Sequence, residues 1–196
     1  MNSTATSLAP PSLSQAEFDQ GKLYIEQTRD GLLGATRLLT LSQWGFQPAL
    51  ERWSIAQIVE HVIAVQERVM EKLHQGLADA PAPPPEQDRQ TVDSIVMNQF
   101  PNRLAKFPSP IPSGPPLDQT AAAHRYRENC AAFTAMLTAT PGLREHALDS
   151  PPLKAVSRGA YSVMDGYQWI LVAAAHAERH TKQILEVIAD PAFPLR

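Results

Sequence analysis

The feature that most constrains this chain is the uneven distribution of its prolines. The 196 residues include 18 prolines, which occur near both ends, at position 48, in the segment 81–116 and in the segment 141–152. Four long stretches contain none, namely 14–43, 54–77, 118–140 and 164–190. Because a proline in a helix interior costs about 3 kcal/mol, these four stretches predict four helices.

Local signals support each of the four helices. The first is expected to begin at Ser14 and the second at Ser54, because a Glu or Gln three residues later completes a capping box. Asp118 is the expected cap of the third helix, and the fourth is expected to begin near Met164. In the first helix, large residues recur every seventh position with small ones between them, a pattern suited to close antiparallel packing: Phe18, Ile25, Leu32 and Leu39 alternate with Gly21, Thr28 and Ala35.

A long proline-rich connection separates the second and third helices. Antiparallel neighbours need only about 2–8 connecting residues, so this connection is long enough to cross the bundle. The sequence thus predicts an all-α protein, a four-helix bundle in up-down-down-up order with this segment as its crossover. A short helix over 93–100 could lie within the crossover. Residues 1–13 are expected to be a disordered lead-in and 14–196 a single domain.

Two of the six histidines lie four residues apart in the fourth helix. His176 and His180 therefore share one face, and they lie within an apolar stripe that should face the core. His61 shares its side of the second helix with Ile58 and Val65. With a rise of about 1.5 Å per residue, antiparallel second and fourth helices would bring the three imidazoles to nearly the same level.

These three histidines are the candidate metal ligands. Buried imidazoles without partners are costly, whereas ligation satisfies one nitrogen on each ring. Three imidazoles leave open positions, which is typical of a catalytic metal, and all-nitrogen ligation suits Zn, Ni, Co or Fe. Gln183 is on the same stripe and is a candidate hydrogen-bond partner for a ligand. No general base is identifiable, and the other three histidines are expected on the solvated surface: His74, His124 and His146.

Composition excludes several classes of function. The formal net charge is −3, and the basic residues form no stripe or block, which argues against binding to nucleic acid or to a membrane surface. No stretch approaches the about 20 apolar residues of a membrane span. The single cysteine, Cys130, lies on an apolar face and is expected to be a buried thiol. These features favour a cytoplasmic protein.

Two segments together resemble the paired motifs of the DinB/YfiT-like superfamily. The segment RWSIAQIVEHV in the second helix is similar to W-S-x-x-[QE]-x-x-x-H, and HAERHTKQI in the fourth is similar to H-x-x-R-H-x-x-Q; the matching residues are Trp53, Ser54, Gln57, His61, His176, Arg179, His180 and Gln183. The resemblance covers roughly 14–190, apart from the proline-rich crossover. It implies an up-down-down-up bundle, often a homodimer, with one divalent ion, commonly nickel or zinc, on the three histidines.

The resemblance leaves the reaction open. Characterised members of the superfamily include metal-dependent transferases and isomerases that use low-molecular-weight thiols, and others are called metal-dependent hydrolases. The leading hypothesis is a thiol S-transferase acting on a small electrophilic substrate, because a site without a carboxylate base suits a nucleophile that needs only metal-assisted deprotonation. A metal-dependent hydrolase is the first alternative. A non-catalytic, stress-associated interaction protein with a bound metal is the alternative of another class.

Overall fold

The computed structural model describes residues 13–103 and 117–195. Within these ranges the chain forms seven helices and two short strands. In chain order they are α1 (Gln15–Thr36), α2 (Leu41–Trp44), α3 (Ile55–Gly76), α4 (Arg89–Gln99), α5 (Gln119–Ala139), β1 (Ala147–Asp149), α6 (Pro151–Val156), β2 (Val163–Asp165) and α7 (Gly166–Ile188).

The four long helices occupy the four proline-free stretches, and the first three have the caps that the sequence predicts. Ser14 and Glu17 form the capping box of α1, and Ser54 and Gln57 form that of α3. The Asp118 carboxylate accepts hydrogen bonds from two first-turn amides of α5. Each interaction satisfies backbone N–H groups that a helix start leaves without partners. The fourth helix begins slightly later than expected, at Gly166.

Helices α1 and α7 run parallel to each other. Near their beginnings, the Tyr167 hydroxyl donates a hydrogen bond to the Glu17 carbonyl at 2.7 Å. Further along both helices, the Tyr24 hydroxyl donates to the Glu178 carboxylate at 2.8 Å. Residue numbers therefore rise together along the contact, as parallel packing requires.

Helix α3 runs antiparallel to α7. His61, in the first half of α3, lies beside His176 near the middle of α7. The Lys72 ammonium, near the end of α3, lies 4.8 Å from the ring centre of Trp169, near the beginning of α7. Residue numbers rise on one helix as they fall on the other, so the two helices are antiparallel. This places His61 at the level of His176 and His180.

Helix α5 runs antiparallel to α1. The Tyr126 hydroxyl donates to the Thr28 carbonyl, and the Gln119 amide at the start of α5 donates to the Thr36 carbonyl at the end of α1. Taken with the two other pairings, this gives the order up, down, down, up for α1, α3, α5 and α7. The predicted fold class and helix order are confirmed.

The small residues of α1 allow close packing, although against more than an antiparallel neighbour. A Cβ added at Gly21 would lie 2.9 Å from Cε2 of Tyr167, on the parallel helix α7, and 3.3 Å from Cδ1 of Leu137, on the antiparallel helix α5. Ile25 and Leu32 of the same seam are buried. The expectation of close antiparallel packing therefore describes only one side of α1.

The crossover contains a helix, as expected, but the helix is longer than the predicted 93–100. Helix α4 begins at Arg89, after an Asp88 cap that accepts a hydrogen bond from the Thr91 amide. Val92 and Val96 are fully buried, and α4 packs against α7. The earlier start follows from the Asp88 cap. The part of the crossover from 104 to 116 lies outside the described residues.

The segment between α5 and α7 contains structure that the sequence analysis missed. Strand β1 pairs antiparallel with β2 in a two-stranded sheet, with α6 between them. Three-residue strands are too short to show alternation in the sequence. The segment is held by Arg144, a buried residue whose guanidinium forms ion pairs with Glu17 of α1, Asp93 of α4 and Asp165 at the start of α7.

The other three histidines and the single cysteine mostly have the expected exposure. His74 and His124 are exposed and Cys130 is buried, as predicted. The expectation for His146 is wrong, because its ring is half-buried and its Nδ1 lies 2.6 Å from the Ala80 carbonyl. No helix in the described ranges is both long and apolar enough to cross a membrane.

Candidate metal centre

Three imidazole rings meet between α3 and α7. Nε2 of His176 lies 3.2 Å from Nε2 of His61 and 3.1 Å from Nε2 of His180. One ring nitrogen from each histidine lies within 4.8 Å of the other two. The antiparallel order of α3 and α7, together with the four-residue spacing on α7, produces this convergence.

The cluster is partly shielded from water by the indole of Trp53, which immediately precedes the cap of α3. His180 is buried, and His61 and His176 are half-buried. The Trp53 ring lies edge-on to the His61 ring, with centres 4.8 Å apart, and nearly parallel to the His180 ring, with centres 6.1 Å apart. Trp53 itself is buried. The sequence motif included this residue but gave no indication that it contacts two of the three imidazoles.

A hydrogen bond fixes which nitrogen of His180 carries the proton. Nδ1 of His180 lies 2.8 Å from Oε1 of Gln183, and the same oxygen accepts a hydrogen bond from Nη1 of Arg103 at 3.1 Å. A guanidinium only donates, so the Gln183 atom is the amide oxygen and His180 Nδ1 is its second donor. The neutral ring therefore presents an unprotonated Nε2 to the cluster.

The geometry of the cluster fits a bound cation. Two nitrogens that bind one ion at about 2.0–2.1 Å lie about 3.0–3.4 Å apart, and the two contacts of His176 Nε2 are 3.2 Å and 3.1 Å. A single hydrogen on that nitrogen cannot point directly at both neighbours. A cation that accepts one lone pair from each ring satisfies all three nitrogens, so the residues present could hold a divalent metal ion.

The imidazoles are in the form that binds metals. Burial, with a contribution from Arg68, lowers the pKa of His61 to about 4. Burial, with a contribution from His61, lowers the pKa of His180 to about 3, and burial beside the two other rings holds the pKa of His176 well below its ordinary value. All three rings are therefore neutral at pH 7, with a lone pair available for ligation.

Arginine side chains contribute positive charge near the cluster, and one of them, Arg103, is ion-paired with Glu186. The charged side chains that lower the pKa values of the three imidazoles are Arg68, Arg103 and Arg179. In the described part of the chain, no Asp, Glu or Cys joins the three histidines within ligand distance. Glu178, which neighbours the cluster in sequence, instead accepts a hydrogen bond from Tyr24 and pairs with Lys182. The candidate ligands in the described residues are therefore all imidazole nitrogens.

The fold and the cluster define the class of protein, a four-helix bundle with a candidate three-histidine metal centre between α3 and α7. A family model described as the DinB superfamily matches residues 24–184, a range that includes the three histidines and Gln183. The chain therefore belongs to the DinB superfamily. No curated protein matches this chain.

Among solved structures, the chain is similar to YfiT from Bacillus subtilis. The TM-score is 0.55 at 16% sequence identity, and the match covers 93% of this chain and 91% of that chain. YfiT is described as a probable metal-dependent hydrolase with an unusual four-helix bundle topology. At this identity the similarity concerns the fold, and it agrees with the four-helix bundle formed by α1, α3, α5 and α7.

Proposed function

We propose that the chain binds one divalent metal ion, nickel or zinc, through His61, His176 and His180. The observation that carries the proposal is the convergence of three neutral imidazole nitrogens, two of whose separations match those of ligands on one ion. Gln183 supports the site by holding the proton on Nδ1 of His180. Three protein ligands leave positions open for a further molecule, which is typical of a catalytic site.

The proposed activity is transfer of a low-molecular-weight thiol to a small electrophilic substrate. A divalent ion on the cluster would lower the pKa of a bound thiol and supply a thiolate at neutral pH. Arg68 contributes positive charge near His61 and His176, which favours that anion. The described part of the cluster includes no carboxylate that could act as a general base. A thiol is more acidic than water, so it depends less on a general base. Trp53 covers one side and limits access of water.

Hydrolysis is the second candidate, and the similarity to YfiT favours it. In that case water takes the place of the thiol, and the same three histidines serve an oxygen nucleophile. A homodimer and a cytoplasmic location are further proposals, which stand on the family resemblance and on composition. Light scattering of the purified chain tests the first of these, with a mass of twice 21.5 kDa as the expected result.

Metal content tests the site itself. Protein purified without a nickel column should contain about one equivalent of nickel or zinc by elemental analysis, and His61→Ala should lose most of it. His124→Ala is the matched control, because this histidine is exposed on α5 and its side chain is 74% accessible. Substoichiometric metal in the wild type that is unchanged in His61→Ala would remove the proposal.

Activity measurements separate the two reactions. Wild type, His180→Ala and His124→Ala are incubated with a panel of small thiols and a chromogenic electrophile, and in parallel with chromogenic esters and amides. Turnover that needs a thiol and is lost only in His180→Ala supports the transferase. Turnover of the esters or amides without thiol supports the hydrolase. If the protein binds metal but turnover never exceeds the rate in buffer alone, the chain is better explained as a non-catalytic metal-binding protein.

A further inference from the structure

The described end of the crossover is attached to the metal centre through one side chain, Arg103. Its guanidinium forms a two-pronged ion pair with Glu186 of α7, with Nε–Oε1 at 3.1 Å and Nη2–Oε2 at 2.8 Å. The remaining Nη1 donates to Oε1 of Gln183 at 3.1 Å. Glu186 and Gln183 lie three residues apart on α7, so one planar guanidinium can contact both.

The contact continues through the amide of Gln183 to a proposed metal ligand. Oε1 of Gln183 accepts hydrogen bonds from Arg103 and from Nδ1 of His180, which lies 2.8 Å away. Arg103 thus holds the amide with its oxygen facing the imidazole. If the amide turned over, its NH₂ group would face both donors. The orientation of Gln183, and through it the tautomer of His180, therefore depends on Arg103, which lies 80 positions before Gln183 in the chain.

Neighbouring residues fix the position of Arg103 on α7. The Asn102 carbonyl accepts a hydrogen bond from the Arg179 guanidinium, and the Lys182 ammonium lies 3.4 Å from the Pro101 carbonyl. The helix residues involved recur at intervals of three or four, so the crossover lies along one face of α7 beside His180. The backbone around Arg103 is held at several points, which directs its side chain to Gln183.

The imidazoles differ in whether the second ring nitrogen has a hydrogen-bond partner. His180 has a partner for its second nitrogen, whereas Nδ1 of His176 is buried and has no hydrogen-bond partner within the described residues. A ring nitrogen that donates to a fixed acceptor keeps the other nitrogen unprotonated and aimed at the metal. We propose that Arg103 is a positioning residue of the metal centre, which acts through Gln183 to hold His180 in its ligating tautomer and orientation. The part of this proposal that concerns metal affinity rests on the proposed metal site.

The plainer alternative is that Arg103 only pins the crossover to the bundle through Glu186. That ion pair is partly exposed, with accessibilities of 26% and 47% for the two side chains, and such pairs contribute little to stability. A structural role would therefore change stability slightly and leave the tautomer of His180 unaltered. A positioning role would change the tautomer and the metal affinity.

The test uses Arg103→Met, Gln183→Leu, the double variant and Arg125→Met. The last is a matched control, because Arg125 also forms a partly exposed ion pair between distant segments, with Glu67. Zn²⁺ affinity is measured by competition with a chromophoric chelator. The tautomers are read, at one fixed pH in the metal-free full-length protein, from long-range ¹H–¹⁵N spectra of the histidine rings. Thermal melts verify that each variant is folded.

Arg103→Met and Gln183→Leu should each weaken Zn²⁺ binding by about 10–100-fold, and the double variant should be no weaker than Gln183→Leu alone. Both single variants should shift His180 from a pure Nδ1–H form to a mixture, and Arg125→Met should match the wild type. Unchanged tautomer and affinity in Arg103→Met would overturn the proposal. If the wild type binds no Zn²⁺, the proposed function fails, while the tautomer measurement still decides whether Arg103 positions His180.

Discussion

Replacing Arg144 by methionine should destabilise the protein by about 3–5 kcal/mol at neutral pH. The guanidinium is only 5% exposed, lies 4.1 Å from the centre of the Tyr167 ring, and forms ion pairs of 2.7–2.9 Å with three carboxylates, those of Glu17, Asp93 and Asp165. Methionine fills much of the same space without the charge. The loss therefore comes from leaving carboxylates buried without their cation, rather than from a cavity.

Asp165 determines how this loss changes with pH. Its side chain is 2% exposed, and the nearest remaining cation is Arg89 at 4.0 Å, which is itself half exposed. Burial raises the pKa of Asp165 to about 6, from 3.8, and Arg144 opposes that increase. Without Arg144 the pKa rises further, so above about pH 4 the folded carboxyl keeps a proton that the unfolded one has lost. The unfolding free energy of the variant should therefore recover, relative to the wild type, as the pH falls from 7.5 to 5.

Urea denaturation followed by circular dichroism at the two pH values measures both effects. Arg125→Met, which breaks an ion pair whose arginine is 52% exposed, should change the unfolding free energy by less than about 1 kcal/mol. A loss below about 1 kcal/mol for Arg144→Met at pH 7.5, or a loss that grows towards pH 5, would refute the reasoning about buried carboxylates.

Three further predictions concern α1 and the metal centre. Gly21→Ala should lower the unfolding free energy by about 1 kcal/mol because its Cβ meets Tyr167, whereas Gly34→Ala, whose Cβ has no neighbour within 4 Å, should raise it by up to about 1 kcal/mol; equal shifts in urea midpoints would contradict the packing described. Addition of Ni²⁺ should quench the fluorescence of Trp53, which contacts the imidazoles, and the quenching should be lost in Trp53→Phe. In the metal-free protein, the unfolding free energy should fall as the pH falls from about 6.5 to about 4, because His61, His176 and His180 are protonated in the unfolded but not in the folded chain, which outweighs the opposite effect of the raised pKa of Asp165; His61→Gln should weaken that dependence in urea titrations.

Most of the bundle could be predicted because its signals are local. Each proline indicates by itself that its position is not in a helix interior. The capping boxes at Ser14 and Ser54 involve residues only three positions apart. These interactions act within a few residues, so they can be found in the sequence directly. The convergence of His61 with His176 and His180 required one long-range inference, the antiparallel order of the second and fourth helices, which came from the length of the crossover.

The features that were missed depend on contacts between distant segments. Arg144 meets three carboxylates on three different elements, and Arg103 meets α7 from the crossover. No spacing or periodicity in the sequence indicates such pairings. The strands β1 and β2 have only three residues each, too few for an alternating pattern to be recognised. For these features, the tertiary fold supplies what local patterns do not.

The most direct test of the metal centre is anomalous diffraction from crystals grown with one equivalent of Zn²⁺, or of Ni²⁺, recorded on both sides of the absorption edge. If the three histidines bind the ion, one strong peak is expected within about 2.0–2.1 Å of Nε2 of His61, His176 and His180. No such peak should occur at these positions in crystals of His61→Ala grown in the same way. A peak at the exposed His74 or His124 instead, with the three-histidine cluster free of metal, would contradict it.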